Sequence, residues 1–251
     1  MKTVAALFRH PIKGHGRQEL THVSVDPGQI FPFDRRWAVA HDASNIAAGP
    51  QDWAQCLNFS RGAKAPSLMA MTADLDETSG QLILNHPDLP EITFDPDNAR
   101  DAARFIAWVQ PIMPENRAKS NALVRANGYG MTDQKHPYIS INTTASLADL
   151  SQKAGTDMSM HRFRGNIWLK NSEPWEEFNW IGKTIRIGGA LLKVEDPIER
   201  CLATTSNPET GRRDVETLEL LQNHWGHKDF GVFAAVIEPG NIGLNDTVEV
   251  L

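Results

Sequence analysis

Short apolar stretches alternate with turn-forming residues over positions 1–95 of the chain. Two of these stretches, Gln81–Leu84 and Glu91–Phe94, are bounded by Gly, Pro, Asn or Asp. Such punctuation is typical of short strands. The pattern predicts a strand pair from these two stretches and a further strand over Arg36–Ala40.

Apolar residues recur at helical spacing in three places. We predict helices from about Asp97 to Val109, from Ala145 to Lys153 and from Val215 to Trp225. Thr143 or Thr144 is the expected cap of the second helix and Gly155 its stop, and Asp214 is the expected cap of the third.

Strand-like patterns return in the second half of the chain. They cover Asn166–Leu169, Thr184–Ile187, Ala190–Val194, Val232–Ile237 and Thr247–Val250. Because the strands do not alternate regularly with helices, a β-rich α+β fold with a barrel or curved sheet is favoured over a doubly wound fold. The segment Glu115–Lys135 has the weakest pattern, and we expect a mobile loop there.

Composition narrows the class of protein. The 251 residues are 41% hydrophobic and 22% charged, which suits one large domain or two modest ones. The formal net charge of -6 opposes a general nucleic-acid binder. The sequence has no apolar run of about 18 residues, and its N-terminal apolar stretch is too short for a signal peptide. We therefore expect a cytoplasmic protein without nucleic-acid or membrane partners.

The two cysteines, Cys56 and Cys201, are too few for a disulfide framework or for a four-cysteine iron-sulfur cluster. Cys201 follows Arg200 and precedes the hydroxyl-rich pair Thr204-Thr205. Nearby positive charge favours the thiolate, which is both a nucleophile and a soft metal ligand. A free cysteine is also often a small buried hydrophobe, so the local sequence leaves both roles open for Cys201. Cys56 lacks such neighbours, and we interpret it as structural.

Basic residues recur beside turns in three segments, Pro11–Gly14, Asp34–Trp37 and Arg162–Ile167. Arg binds phosphate groups in a bidentate manner and Lys acts as a point charge, so the segments could converge on one anionic ligand. Separate surface charges or ion pairs are the alternative. The sequence has neither a Gly-rich phosphate-binding loop nor a Gly-x-Ser-x-Gly motif, which excludes several common enzyme classes.

Taken in order, these segments resemble the MOSC family, the domain shared by the C-termini of molybdenum cofactor sulfurases and by the mitochondrial amidoxime reducing component. The resemblance covers almost the whole chain. It rests on His10-Pro11-Ile12-Lys13-Gly14, Asp34-Arg35-Arg36-Trp37, Asn142–Leu147, Arg162–Ile167 and Arg200-Cys201-Leu202-Ala203-Thr204-Thr205 with the following Asn207–Gly211. Asn58–Gly62 matches a further family segment only loosely. The resemblance implies a smaller N-terminal β-barrel-like domain over residues 1–118, a β-barrel MOSC domain over residues 119–251, and a few helices.

The same resemblance implies a pterin-bound molybdenum cofactor. Cys201 would be the metal ligand and the catalytic residue. The residues implied to bind the cofactor are Lys13, Arg35, Thr143, Ser146, Arg164, Asn166, Arg200 and Thr205.

The function implied is reduction of N-hydroxylated compounds such as amidoximes and hydroxylamines. Because the chain has no four-cysteine ferredoxin region and no flavin or nicotinamide fingerprint, the electrons would come from a separate flavin reductase, cytochrome b5-like or ferredoxin-like protein. A second hypothesis is a cofactor carrier or sulfur-transfer protein with a persulfide on Cys201, although no fused desulfurase domain is present. A third, a binding module that has lost the metal, is disfavoured by the intact Arg-Cys motif.

Overall fold

The chain folds into two sets of strands with helices packed around them. A computed structural model describes residues 1–251. The first half contains β1 (Lys2–Arg9), β2 (Gln18–Leu20), β3 (His22–Val25), β4 (Trp37–His41), β5 (Gly49–Gln51), β6 (Thr72–Leu75), β7 (Leu82–His86), β8 (Leu89–Phe94) and α1 (Ala99–Val109). The second half contains β9 (Ser120–Ala126), β10 (Ile139–Thr143), α2 (Thr144–Ala154), β11 (Ile167–Lys170), β12 (Thr184–Ile187), β13 (Ala190–Glu199), α3 (Thr217–Trp225), β14 (Asp229–Glu238), β15 (Gly240–Gly243) and β16 (Thr247–Val250).

Seven strands close into a barrel in the order β11-β10-β14-β13-β12-β16-β1, and β1 pairs back onto β11. Only β10 and β11 run parallel, and the other pairs in the ring are antiparallel. The interior holds a core of 20 buried apolar residues, among them Leu7, Ile141 and Leu192. The predicted β-rich fold with a barrel and a few helices is therefore confirmed.

The outside of the barrel is covered by α2 and α3. Neighbouring residues of β1 point to opposite faces, so Leu7 enters the barrel core while Phe8 joins a second apolar cluster under the helices. Trp168 and Phe230 belong to that second cluster and are fully buried. The barrel wall is thus buried on both faces here, which explains why β11 and β14 have near-continuous apolar sequences.

The N-terminal part has its own core. It consists of the sheet β4-β9-β5 and the meander β6-β7-β8, with α1 packed against them. Phe94 and Phe105 stack there with ring centroids 4.8 Å apart. The Asn98 side chain accepts from the backbone N–H groups of Arg100 and Asp101, which fixes the start of α1 at Ala99.

Strands cross between the two parts of the chain. β1 belongs to the C-terminal barrel, whereas β9 pairs with β4 and β5 of the N-terminal sheet. The expected domain boundary between residues 118 and 119 stays a prediction. None of the three α-helices combines the length and apolarity needed to cross a bilayer.

Two local predictions were wrong. The segment Glu115–Lys135 is not a continuous loop, because β9 lies within it and pairs with β4. Asp214 does not cap the third helix, which begins at Thr217 after Glu216. The carboxylate of Asp214 lies 2.7 Å from the guanidinium of Arg162 instead, so a tertiary ion pair replaces the local cap.

The second helix was predicted with its correct signals. Thr143 caps α2 by accepting from the backbone N–H of Ser146, and Gly155 ends the helix with a left-handed φ of 67°. The hydroxyls of Thr143 and Ser146 also donate to the carboxyl of Glu177, at 3.1 and 2.9 Å. Glu177 is completely buried, and its Oε1 atom has no partner. Burial raises the pKa of Glu177, although the two hydroxyls oppose the rise.

This buried carboxyl makes stability fall as pH rises. The folded protein holds the Glu177 proton more tightly than the unfolded chain, so the free energy of unfolding declines above the ordinary Glu pKa of about 4.3 until the folded-state pKa is passed. Glu177→Gln keeps an acceptor for both hydroxyls and should remove this decline. Urea denaturation between about pH 5 and about pH 8 tests it, with exposed Glu173→Gln as the control. An unchanged pH slope in Glu177→Gln would contradict the assignment.

Candidate functional site

A cleft between the barrel and the N-terminal part is lined by side chains from both halves of the chain. Six cationic and three acidic residues line it, an excess of positive charge in a chain whose formal net charge is -6. These residues are Lys13, Arg35, Arg61, Arg162, Arg164, Arg200, Asp34, Asp133 and Glu199. Such a concentration of positive charge in a concave site favours an anionic ligand.

Six of the nine residues that the sequence singled out meet in this cleft: Lys13, Arg35, Arg164, Asn166, Arg200 and Cys201. They come from four separate segments of the chain. The other three, Thr143, Ser146 and Thr205, are fully buried and do not line the cleft.

Asp34 fixes one wall of the cleft. Its buried carboxylate accepts from the backbone N–H of His10 at 2.7 Å and forms an ion pair with Arg35. Burial alone would raise the pKa of Asp34, but the charge of Arg35 and the hydrogen bond from His10 hold it well below its usual range. Arg35 in turn donates from Nη2 to the backbone carbonyl of Arg164, at 2.9 Å. The ionised carboxylate of Asp34 therefore positions Arg35 and, through Arg35, the backbone of Arg164.

Arg35 and Arg164 both have left-handed backbone conformations, with φ of 47° and 48°. Residues with a side chain adopt this region infrequently. Arg164 takes it because it ends the 3-10 helix Met160–Phe163. Sparsely populated backbone conformations of this kind concentrate at functional sites, where the surrounding structure enforces them.

Arg164 is a weakly paired cation of the cleft. Its Nη2 atom lies 3.5 Å from the carbonyl of Ile12, and it has no carboxylate within ion-pair distance. Burial, followed by the charge of Arg35, lowers the pKa of Arg164 to about 9, so the guanidinium stays charged at neutral pH. A desolvated charge without a counter-ion is unfavourable. An anion bound in the cleft would relieve that cost.

Arg200 is held by several acceptors within the protein itself. Its guanidinium donates to the carbonyls of Phe230 and Phe163, at 2.7 and 2.9 Å, and to Oδ1 of Asn142 at 2.8 Å. Burial lowers its pKa to about 9, and the neighbouring Cys201 opposes that change. Arg200 therefore anchors the end of β13, and with it the position of Cys201, while contributing its charge to the cleft.

The Asn142 side chain, which accepts a hydrogen bond from Arg200, occupies space that is available only because positions 165 and 231 are glycines. An added Cβ at Gly165 or at Gly231 would overlap the Asn142 side-chain amide. Gly231 also has a left-handed φ of 74°. The Nδ2 atom of Asn142 is buried without a partner, so its amide is fixed by steric contact and by Arg200 alone.

Cys201 is an exposed free cysteine on the cleft wall. It precedes the 3-10 helix Leu202–Thr205, and the hydroxyl of Thr204 donates to its carbonyl at 3.1 Å. Thr204 lines the cleft, whereas Thr205 turns inward and donates to the carbonyl of Leu202 at 2.8 Å. The turn thus presents the thiol to the cleft on a hydrogen-bonded support.

Asn166 lines the cleft, but its side-chain amide is engaged in hydrogen bonds within the protein. Its Oδ1 atom accepts from the hydroxyl of Ser140 at 2.8 Å, and its Nδ2 atom donates to the carbonyl of Phe8 at 3.2 Å. It therefore joins β10, β1 and the residue before β11.

Several cleft residues were not predicted from the sequence, among them the charged residues Asp133 and Arg61. Asp133, in the segment between β9 and β10, forms an ion pair with Lys13 although its side chain is 70% exposed. Arg61 donates to the Sγ atom of Cys56 at 3.2 Å and lines the cleft from the loosely matched segment Asn58–Gly62. No local pattern marks Asp133, whereas the loose motif was a usable signal for Arg61.

The structure defines a class of protein, a β-barrel with an exposed thiol in a cationic cleft, which is an arrangement suited to an anionic ligand. Comparison with known families agrees with that class. Residues 130–249 match the MOSC domain, and residues 1–113 match the MOSC N-terminal beta barrel domain. The chain belongs to the MOSC family in its two-part form.

Among relatives, the chain is similar to Mitochondrial amidoxime-reducing component 1 of Danio rerio. The two are 36% identical over 264 residues, an alignment that covers 87% of this chain and 74% of that protein. It also resembles Molybdenum cofactor sulfurase of Drosophila mojavensis, with 33% identity over 90 residues, or 36% of this chain. The alignments span only 11% to 14% of the length of such sulfurases. Among solved structures, the YUAD protein from Bacillus subtilis gives a TM-score of 0.47 at 13% identity and covers 100% of this chain and 96% of that one.

The Lys13–Asp133 pair predicts how the cleft responds to an added anion. The charge and hydrogen bond of Lys13 hold the pKa of Asp133 below its usual range, so the carboxylate competes with an anion at neutral pH. Asp133→Asn should tighten the binding of inorganic pyrophosphate about threefold to fivefold, the range expected when an exposed ion pair is released. Isothermal titration measures the effect.

Asp157→Asn, at an exposed position outside the cleft, makes the same change in net charge and should leave pyrophosphate binding unchanged. Equal tightening in both variants would indicate a general charge effect and would contradict a specific Lys13–Asp133 competition.

Proposed function

We propose that this protein holds a molybdenum cofactor in the cleft and reduces N-hydroxylated compounds. The observation that carries the proposal is that one cleft contains both an exposed thiol, Cys201, and a half-buried arginine, Arg164, without a carboxylate partner. A thiolate is a ligand for soft metals, and a free guanidinium binds phosphate. Similarity to proteins named for molybdenum cofactor and for amidoxime reduction supports the same choice.

The residues present fit such a group. Lys13, Arg35 and Arg164 would receive the phosphate and polar edge of the pterin, because they supply the charge that an anion needs. Cys201 would supply the metal ligand. The bound metal would contribute two-electron redox chemistry.

The chain's own residues position and shield the site. Arg200 holds the backbone of Cys201 through three separate acceptors, so the sulfur keeps its place. Phe163, Met69 and Phe233 add apolar surface that limits water in the cleft. Burial and nearby carboxylates raise the pKa of Tyr138, so this lining residue keeps its phenolic proton at neutral pH and is available as a donor to a polar substrate.

The overall reaction balances with an external donor. A hydroxylamine takes up two electrons and two protons, its N–O bond breaks, and an amine and water form. An amidoxime gives an amidine in the same way. The two electrons would come from one flavin reductase, or one each from two molecules of a reduced cytochrome b5-like or ferredoxin-like protein, and the donor is oxidised accordingly. A cytoplasmic location stays a prediction.

Metal content tests the ligand assignment. Cys201→Ser, purified from a host that makes the cofactor, should lose most of its molybdenum because a serine hydroxyl is a poor ligand for a soft metal site. Cys56→Ser is the matched control and should retain it. Elemental analysis gives the metal content, and thermal unfolding checks that both variants fold. Equal molybdenum in Cys201→Ser and the wild type would rule out the assignment.

The exposed thiol also favours a second candidate function, cofactor carriage or sulfur transfer with a persulfide on Cys201. Turnover separates the two. Metal-loaded wild type should convert a hydroxylamine to the amine with reduced methyl viologen as the electron source. A loaded protein that gives no amine would favour carriage, and a persulfide on Cys201 would then be sought by mass spectrometry.

A further inference from the structure

A basic groove lies beside the cleft, and it has no role in the function proposed so far. We define it by Lys64, Arg117, Arg213, Glu216 and Leu202, which line it together with Ala63, Pro66, Pro114 and Asn116. Three cations thus face one carboxylate, although the chain has a formal net charge of -6. The side chains of Lys64 and Arg117 are exposed and make no hydrogen bond or ion pair within the chain. Their charge is therefore free to act on a partner.

A thin wall separates the basic groove from Cys201. Ala63 lines both the cleft and the groove, and Leu202 follows Cys201 directly in the chain. Arg213 holds the wall together by donating to the carbonyl of Leu202 at 2.6 Å and to the carbonyl of Ala63 at 2.9 Å. A protein bound in the groove would therefore sit close to the thiol without entering the cleft.

The surface also has the composition of a transient interface. Leu202 is 44% exposed, an apolar side chain among the cations. Electron-transfer complexes use small interfaces, and complementary charge sets their orientation and speeds their encounter. Positive charge beside an exposed leucine selects an acidic partner with a small apolar patch.

We propose that the basic groove is the docking site of an acidic electron-transfer protein, which delivers the two electrons used to break the N–O bond one at a time in two successive encounters. The inference rests on the proposed reductase function. In this arrangement the substrate occupies the cleft on one side of the wall formed by Ala63 and Leu202. The electron donor occupies the basic groove on the other side.

The test compares electron delivery by a protein with delivery by a small molecule. The double variant Lys64→Glu with Arg117→Glu reverses the groove charge. With a soluble, acidic cytochrome b5 domain as donor at low ionic strength, kcat/KM for the donor should fall about tenfold or more, because electrostatic steering is lost. The difference from wild type should shrink as salt is added, since screening shortens the reach of the charges. The rate with reduced methyl viologen, a small cation that the added negative charge does not repel, should not fall.

The control double variant, Lys153→Glu with Lys183→Glu, changes the net charge equally at exposed positions outside the groove. It should retain wild-type kcat/KM for the cytochrome. Direct titration of the cytochrome against each holoprotein, followed by NMR shifts, should show weaker binding only for the groove variant.

The outcomes are distinct. Loss of cytochrome-driven turnover in both double variants, or in neither, would overturn the groove assignment. If methyl viologen drives no reduction by metal-loaded wild type, the proposed function fails, while the binding titration still tests the groove. Self-association of the wild type that the groove variant abolishes would identify a second copy as the occupant and would also overturn the proposal.

Discussion

The electrostatic cost of gathering arginines in one half-buried cleft constrains the rest of the structure. Like charges repel, and burial removes the hydration that would stabilise them. The fold meets this cost with a different partner for almost every cation. Asp34 neutralises Arg35, carbonyl oxygens surround Arg200, and Asp214 pairs with Arg162. Arg164 has no carboxylate within ion-pair distance, so its guanidinium is available to an anionic ligand.

Close packing behind the cleft enforces that arrangement. The Asn142 amide that receives Arg200 is confined between Gly165 and Gly231, and neither position has room for a Cβ. Arg200 directly precedes Cys201 in the chain. The two glycines that confine Asn142, and through it Arg200, therefore also help to fix the position of the thiol. The Cys201 sulfur is thereby supported by the barrel wall, although it lies in an exposed turn.

The cleft also depends on the two parts of the chain packing together. Lys13 and Arg35 come from the N-terminal segments, while Arg164, Arg200 and Cys201 follow barrel elements or precede them. Arg17 links the parts further by donating to the carbonyls of Met69, Met71 and Pro208. Neither part alone contains both the thiol and the full set of cations.

Local sequence determined the elements whose signals are local. The spacing of apolar residues placed α1 and α2, and the Thr143-Thr144 pair and Gly155 marked the ends of α2, because helix caps form between near neighbours. The ordered motifs identified the family and six residues that meet in the cleft, Cys201 among them.

Tertiary structure decided what depends on distant partners. The segment Ser120–Ala126 forms strand β9 because it pairs with β4. Asp214 forms an ion pair with Arg162 and does not cap the third helix. Lys13 met Asp133 across 120 positions of sequence, and Thr204 rather than Thr205 faced the cleft. The sequence by itself therefore determined which groups are present and in what order, whereas packing decided which of them share one cleft, since contacts between remote segments leave no local pattern.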